Sequence, residues 1–164
     1  MIKIKMPKKS NNKKTTEPGG AGVIAIDMSG KILLGKRSQT VKHPGERGLP
    51  GGTVEKGERF IDAALREFEE EAGYEGGYRV VDSITFTRAK DGKKFKLFVL
   101  MIPVLGPGTQ PNDEMEKLVW SDFSSMLERE PKHWVLKKVI ETGFINPSSI
   151  EYYVSLVGEP TSFV

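Results

Sequence analysis

The chain has 164 residues, enough for one domain whose core needs no covalent staples. It has no cysteine, which excludes disulfides and thiolate metal sites and fits a reducing, cytoplasmic compartment. The formal charge of +3 is unevenly placed: residues 1–14 carry Lys3, Lys5, Lys8, Lys9, Lys13 and Lys14 and no acid, and the remainder carries 19 basic against 22 acidic side chains.

Residues 1–18 therefore read as a disordered, lysine-rich tail ahead of a single domain at 19–164. Such a tail can touch nucleic acid electrostatically, but the net acidity of the rest argues against a broad nucleic-acid-binding face. No apolar run approaches a membrane span, and the first residues lack the apolar centre of a signal peptide. No membrane partner is expected.

Residues 21–27 form a β-leaning apolar run, and Met28-Ser29-Gly30 supplies a turn into 31–37, so the two are expected to pair as a hairpin. Residues 38–48 are polar, contain Pro44 and Gly45, and read as a loop leading to Leu49-Pro50-Gly51-Gly52. After a central helix, residues 78–87 and 94–103 read as strands around Asp91-Gly92, a two-residue hairpin signal. Residues 106–112 are a Gly/Pro-rich loop, 116–120 a short strand and 122–128 a helical turn or two. Residues 131–142 read as an amphipathic helix opened by Pro131, with Trp134, Val135 and Val139 inward. The segment 150–157 is β-leaning.

The central helix carries the chemistry. Phe60, Ile61, Ala64, Leu65, Phe68 and Ala72 fall within an arc of about 120°, a core stripe. Glu71 lies inside the edge of that arc, Glu67 just beyond it and Glu70 further round the same side, while Glu69 faces away. Like charges at these spacings cost a helix roughly 0.2–0.5 kcal/mol per pair, so stability alone does not select them. An acid on the rim of a buried stripe is expensive unless paired or metal-bound. Carboxylate oxygens gathered in this way suit a hard divalent cation such as Mg²⁺.

Written out, the stretch is Gly52, five residues, Glu58, seven residues, Arg66-Glu67, the apolar Phe68, then Glu69, Glu70, Glu71, Ala72, Gly73 and Tyr74. This resembles the box that defines the Nudix hydrolase superfamily, with Phe68 and Tyr74 where the family usually has aliphatics. The resemblance implies an α/β fold: a Nudix-type α/β/α sandwich with a mixed sheet, in which the box forms a loop–helix–loop. It also implies a metal-dependent pyrophosphohydrolase, using Mg²⁺ or Mn²⁺ to cleave a nucleoside diphosphate linked to another moiety. The alternative is a fold-sharing module that senses nucleotides or binds RNA with little hydrolysis.

Carried over residue by residue, the resemblance makes Glu67, Glu70 and Glu71 metal ligands and adds the Gly52 carbonyl. The general base lies in the box or on a later loop: Glu70 is the box candidate, and Glu114 and Glu116 follow the Gly/Pro-rich loop, Glu116 being carried forward. Arg37 and Lys36 close a predicted strand before the box and are the candidate phosphate grips, Arg offering the better fork. His43 reads as a loop residue, His133 as structural, and Trp120, Phe86 and Phe98 as core. Leu33 to Ser38, followed by Lys42, loosely resembles the coenzyme A-cleaving branch with departures at Gly35 and Lys42. An RNA end or a nucleotide sugar is equally open as substrate, and a homodimer is an option the family allows.

Overall fold

The computed structural model describes residues 19–39, 42–110 and 115–158, with the side chain of Glu116 outside that description. The lysine-rich tail and Glu114 lie outside the described residues. Seven strands form one mixed sheet: β1 (Gly19–Ile26), β2 (Ile32–Arg37), β3 (Arg47–Gly48), β4 (Gly51–Thr53), β5 (Arg79–Thr87), β6 (Lys94–Met101) and β7 (Met115–Ser121). The helices are α1 (Phe60–Ala72), α2 (Phe123–Glu128), α3 (Trp134–Glu141) and α4 (Pro147–Val157).

Strand β1 is buried from end to end and runs parallel to β6, the arrangement expected of an apolar strand covered on both faces. Its alternating side chains feed two cores. Val23 and Ala25 pack with Ala63, Ala64, Phe68 and Ala72 of α1 on one face. Ile24 and Ile26 pack on the other with Met126 of α2, Leu136 and Val139 of α3, and Ile150 and Tyr153 of α4. This is the α/β/α sandwich expected from the sequence.

The predicted hairpin of the first two strands is joined only at its turn end, where Ile26 faces Ile32. Beyond that point the strands diverge. β1 takes β4 as an antiparallel partner, with Ala21 opposite Gly52, and β2 takes β3 and β7. The two short strands β3 and β4 thus fill the wedge, and they lie where the sequence suggested only a loop.

Three other expectations are corrected. The β5–β6 hairpin has no two-residue turn: Thr87 pairs with Lys94, leaving six residues in the loop, closed by Arg88 N–H donating to Lys93 O at 2.8 Å. Helix α3 begins at Trp134, with His133 as its N-cap, so Pro131 stands outside the helix and its carbonyl instead accepts from Arg47 N–H. The β-leaning segment 150–157 belongs to α4, because Asn146 and Ser149 form a reciprocal capping box and Pro147 follows the cap. Among the described residues no helix is long and apolar enough to cross a membrane.

Candidate active site

Helix α1 stops at Gly73, whose left-handed φ of 65° lets its N–H donate to Glu69 O. The buried face of α1 is rotated from the stripe expected from apolar spacing. Ala63, Ala64, Glu67, Phe68, Glu71 and Ala72 are buried, whereas Phe60, Ile61 and Leu65 are half-buried. The reason is visible in β4. Gly51 and Gly52 present bare backbone to the helix, so carboxylates rather than apolar side chains fill the contact.

Glu71 is 2% exposed, and its Oε1 accepts from Gly51 N–H at 2.9 Å. Glu67 is 9% exposed. A Cβ placed on Gly52 would lie 2.4 Å from the Glu67 carboxylate carbon, so the carboxylate occupies the space that glycine leaves. Unpaired, each of these buried acids would be costly.

Arg66 supplies much of the compensating charge. Its guanidinium donates to Glu67 at 3.0 Å, to Glu70 at 3.4 Å and to Glu58 at 2.9 and 3.1 Å. The hydrogen bond to Glu58 is the main reason Arg66 is held still more firmly protonated than usual. Among the described residues no group of three His, Cys, Asp or Glu side chains is placed to hold a metal ion together. The carboxylate cluster anticipated on α1 is therefore present in sequence order but threaded by an arginine.

Glu67 and Gly52 line a cleft of about 720 Å³, within the range of small-molecule sites. Its floor includes Gly19, Gly20 and Gly22 of β1. Arg37 enters from the end of β2, with Nε donating to Lys42 O at 2.8 Å. Lys36 does not line the cleft: it is half-buried in β2 opposite Arg47 and Lys117. Glu70 is more open, its side chain 55% exposed beside Arg66. Glu116 lies in β7, and the position of its side chain falls outside the described residues.

The sequence reading missed most of the far wall. Arg88, Lys93 and Lys96 come from the β5–β6 hairpin, and Phe95, His133 and Trp134 complete that side. The alternation in β6 and the Asp91-Gly92 turn pointed to the hairpin, but nothing local in the sequence said that it would reach the cleft. His133 and His43 meet edge-to-face at 5.4 Å, so both are cleft residues. Phe86 and Phe98 are buried as core, and half-buried Trp120 donates Nε1–H to Pro107 O at 3.0 Å.

Fold and site together define an α/β sandwich whose acidic helix abuts a glycine strand at one wall of a basic cleft. A family model of the NUDIX domain matches residues 16–143, and the chain belongs to that family, the Nudix hydrolase superfamily. Over 147 residues it is 28% identical to the mRNA-decapping enzyme subunit 2 of Saccharomyces cerevisiae, a match covering 88% of this chain and 13% of that protein. Over 76 residues it is 37% identical to the ADP-ribose pyrophosphatase of Bacillus subtilis, covering 44% of this chain and 40% of that one. The chain thus spans less than half the length of either relative. The MutT protein from Methanosarcina mazei Go1 shares the fold, with a TM-score of 0.60, 20% identity, and coverage of 80% of this chain and 95% of that one.

Proposed function

We propose that the protein is a metal-dependent pyrophosphohydrolase that cleaves a nucleoside diphosphate linked to another moiety. The observation that carries this reading is the pair of buried carboxylates, Glu67 and Glu71, set against the glycine backbone of β4, with Glu67 in the cleft wall. A family relationship to named pyrophosphatases supports it.

In donor chemistry the residues suit a hard divalent cation, Mg²⁺ or Mn²⁺, and gathering them on one ion requires Arg66 to give up its contacts with Glu67 and Glu70. Their donors are oxygens: the carboxylates of Glu67, Glu70 and Glu71, and the carbonyl of Gly52. Arg66 already places a positive charge between Glu67 and Glu70. When bound, the cation supplies neutralisation of diphosphate charge and a lowered pKa for the attacking water.

The chain's own residues supply the rest. The glycine floor of β1 admits a phosphate close to backbone, and Arg37 offers a planar fork to its oxygens. Water attacks one phosphorus, and the bridging oxygen departs with the other phosphate. Glu70 is exposed enough to meet that water and accept its proton, with Arg66 orienting the carboxylate. Glu116, on the later strand β7, is the second candidate for the same duty.

The test is phosphate release from a panel of diphosphate compounds with Mg²⁺, with Mn²⁺ and with chelator, beside Glu70→Gln. The expected result is metal-dependent cleavage of one substrate class, with kcat lowered by about 10²–10⁴-fold in the variant and thermal unfolding little changed. Near-normal turnover in Glu70→Gln, or turnover in chelator, would overturn the assignment.

A further inference from the structure

Strand β5 closes one side of the sheet, with β6 as its partner. The terminal strand on the other side, β3, has a cover: Arg47 N–H donates to Pro131 O at 2.7 Å, and His133 N–H donates to Arg47 O at 2.8 Å. Among the described residues β5 has no such cover, and an open edge is a template for another strand. The bulge that interrupts β5 lies at its start, between Val80 and Asp82. Beyond it the edge carries neither lysine nor proline up to Thr87.

The pairing fixes which backbone groups are open. Arg88 N–H donates to Lys93 O at 2.8 Å, so Arg88, Phe86 and Ile84 turn their backbone groups toward β6. Ser83, Thr85 and Thr87 therefore turn theirs outward, and all three are exposed. Asp82 Oδ1 accepts from Ser83 N–H at 2.8 Å. The alternate residues share the face that packs on the helices. Phe86 is in the core, Arg88 lies over the Phe95 ring, and Asp82 Oδ2 accepts from Tyr153 O–H at 2.6 Å.

We propose that the β5 edge pairs with β5 of a second copy of this chain, antiparallel, about a two-fold axis at Thr85. Charge selects the register. An axis at Ser83 would set Asp82 against Ile84 of the other copy, and one at Ile84 would set it against Phe86. An axis at Phe86 would set Asp82 beside Lys90, beyond the paired residues. The axis at Thr85 sets Asp82 opposite Arg88, Ile84 opposite Phe86 and Ser83 opposite Thr87. Ser83 N–H then passes to Thr87 O of the second copy, which frees Asp82 Oδ1 for Arg88. Arg88 has Nη1 to offer, since Asp91 occupies Nε and Nη2. Arg88 also lines the cleft, so each cleft gains a wall braced by the second copy.

The first measurement is sedimentation velocity of the full chain at about 100 µM, where even a micromolar dimer is mostly assembled. A dimer is expected. Thr85→Pro removes only an outward N–H and Thr85→Lys sets two ammonium groups at the axis, so both are expected to be monomeric with unchanged circular dichroism. The chain has no cysteine, so single-cysteine variants report the register directly. Thr85→Cys places the two Cα atoms about 5.5 Å apart, within disulfide range, and should cross-link with itself under mild oxidation. Thr87→Cys should not, its two copies being about 13 Å apart, but should cross-link when mixed with Ser83→Cys.

Charge reversal gives a second reading. Asp82→Lys and Arg88→Glu are each expected to weaken self-association at least about tenfold, and mixing the two variants should restore a dimer, because both facing pairs become opposite in sign. A parent that stays monomeric would overturn the proposal and leave the edge to a strand of another protein. A dimer that survives Thr85→Lys, or that Thr85→Cys does not cross-link, would overturn it in favour of a different interface.

Discussion

Arg66 grips Glu58 with both arms of its guanidinium, Nε to Oε2 at 2.9 Å and Nη2 to Oε1 at 3.1 Å, across eight residues of chain. The Glu58 side chain is 2% exposed and that of Arg66 25% exposed. Glu58 also accepts from Glu55 N–H at 2.9 Å, so one carboxylate ties the turn before α1 to the middle of the helix. Arg66 Nη2 reaches Thr53 O at 3.1 Å, which adds β4 to the same knot. One arginine thus holds together the strand, the turn and the acidic helix that form the wall of the cleft.

Glu58→Ala is therefore expected to destabilise the protein by about 1.5–3 kcal/mol, the range for hydrogen bonds to charged groups. At roughly 2–4 °C per kcal/mol for a chain of this size, the loss is measurable in a thermal melt. Arg66→Lys should also lower stability, because an ammonium cannot make the paired contact. Urea melts of both variants check the point; Lys at 66 matching the parent midpoint would show that charge alone suffices.

Gly52→Ala separates site from fold. The added Cβ meets the end of the Glu67 side chain, which can move, and Gly52 is not among the residues with positive φ. Activity is expected to fall at least about tenfold, equivalent to roughly 1.4 kcal/mol in the barrier, with a melting temperature close to the parent's. Gly51→Ala is the contrast. There the Cβ would come 2.7 Å from Ala21 O and 2.8 Å from Gly22 Cα, both backbone, so stability should drop by about 1–3 kcal/mol. Assay and melt of the two variants side by side decide it, and equal behaviour would refute the distinction.

The acidic helix was legible because its spacing is local: Glu67 and Glu71 border an apolar stripe within one turn of each other. The rotation of that stripe was not, since it depends on Gly51 and Gly52 of another strand leaving room for carboxylates. Phe95, Lys93 and Trp134 were not legible as cleft residues for a related reason. They become cleft residues only because β6 lies parallel to β1 and α3 packs on the same sheet, contacts that no short window of sequence contains. In α4 the failure was of weighting. Ile150, Tyr152, Tyr153 and Val154 favour strands, yet the Asn146-Pro147-Ser148-Ser149 start and burial of Ile150, Tyr153 and Val157 on one face prevail.

That weighting predicts a cost for Asn146→Ala. Asn146 Oδ1 accepts from Ser149 N–H at 2.9 Å, and Asn146 N–H donates to Ser149 Oγ at 3.0 Å. Removing the side chain should cost about 1 kcal/mol, or roughly 2–4 °C in the melt. Asn146→Asp keeps the acceptor but loses the Nδ2–H that donates to Gly143 O at 2.8 Å, so it should recover only part of the loss. A melt of the alanine variant indistinguishable from the parent would mean that packing alone holds α4.

His133 sets a pH dependence whose direction follows from its surroundings. Burial, with Arg37 and then His43 adding positive charge nearby, pushes its pKa down to about 4. Its Nδ1 accepts from Val135 N–H at 3.3 Å, a cap that a protonated ring cannot provide. Above about pH 6.5, the ordinary histidine value, the ring is neutral in both folded and unfolded chains and contributes no slope. Between there and about 4 the unfolded chain takes up a proton that the folded chain refuses, so stability falls as the pH falls. His133→Asn keeps an oxygen acceptor for the cap and removes the titration. Its unfolding free energy, measured in urea from pH 7 down to pH 4, is expected to decline less steeply than the parent's. Parallel decline of the two would assign the acid sensitivity to other groups.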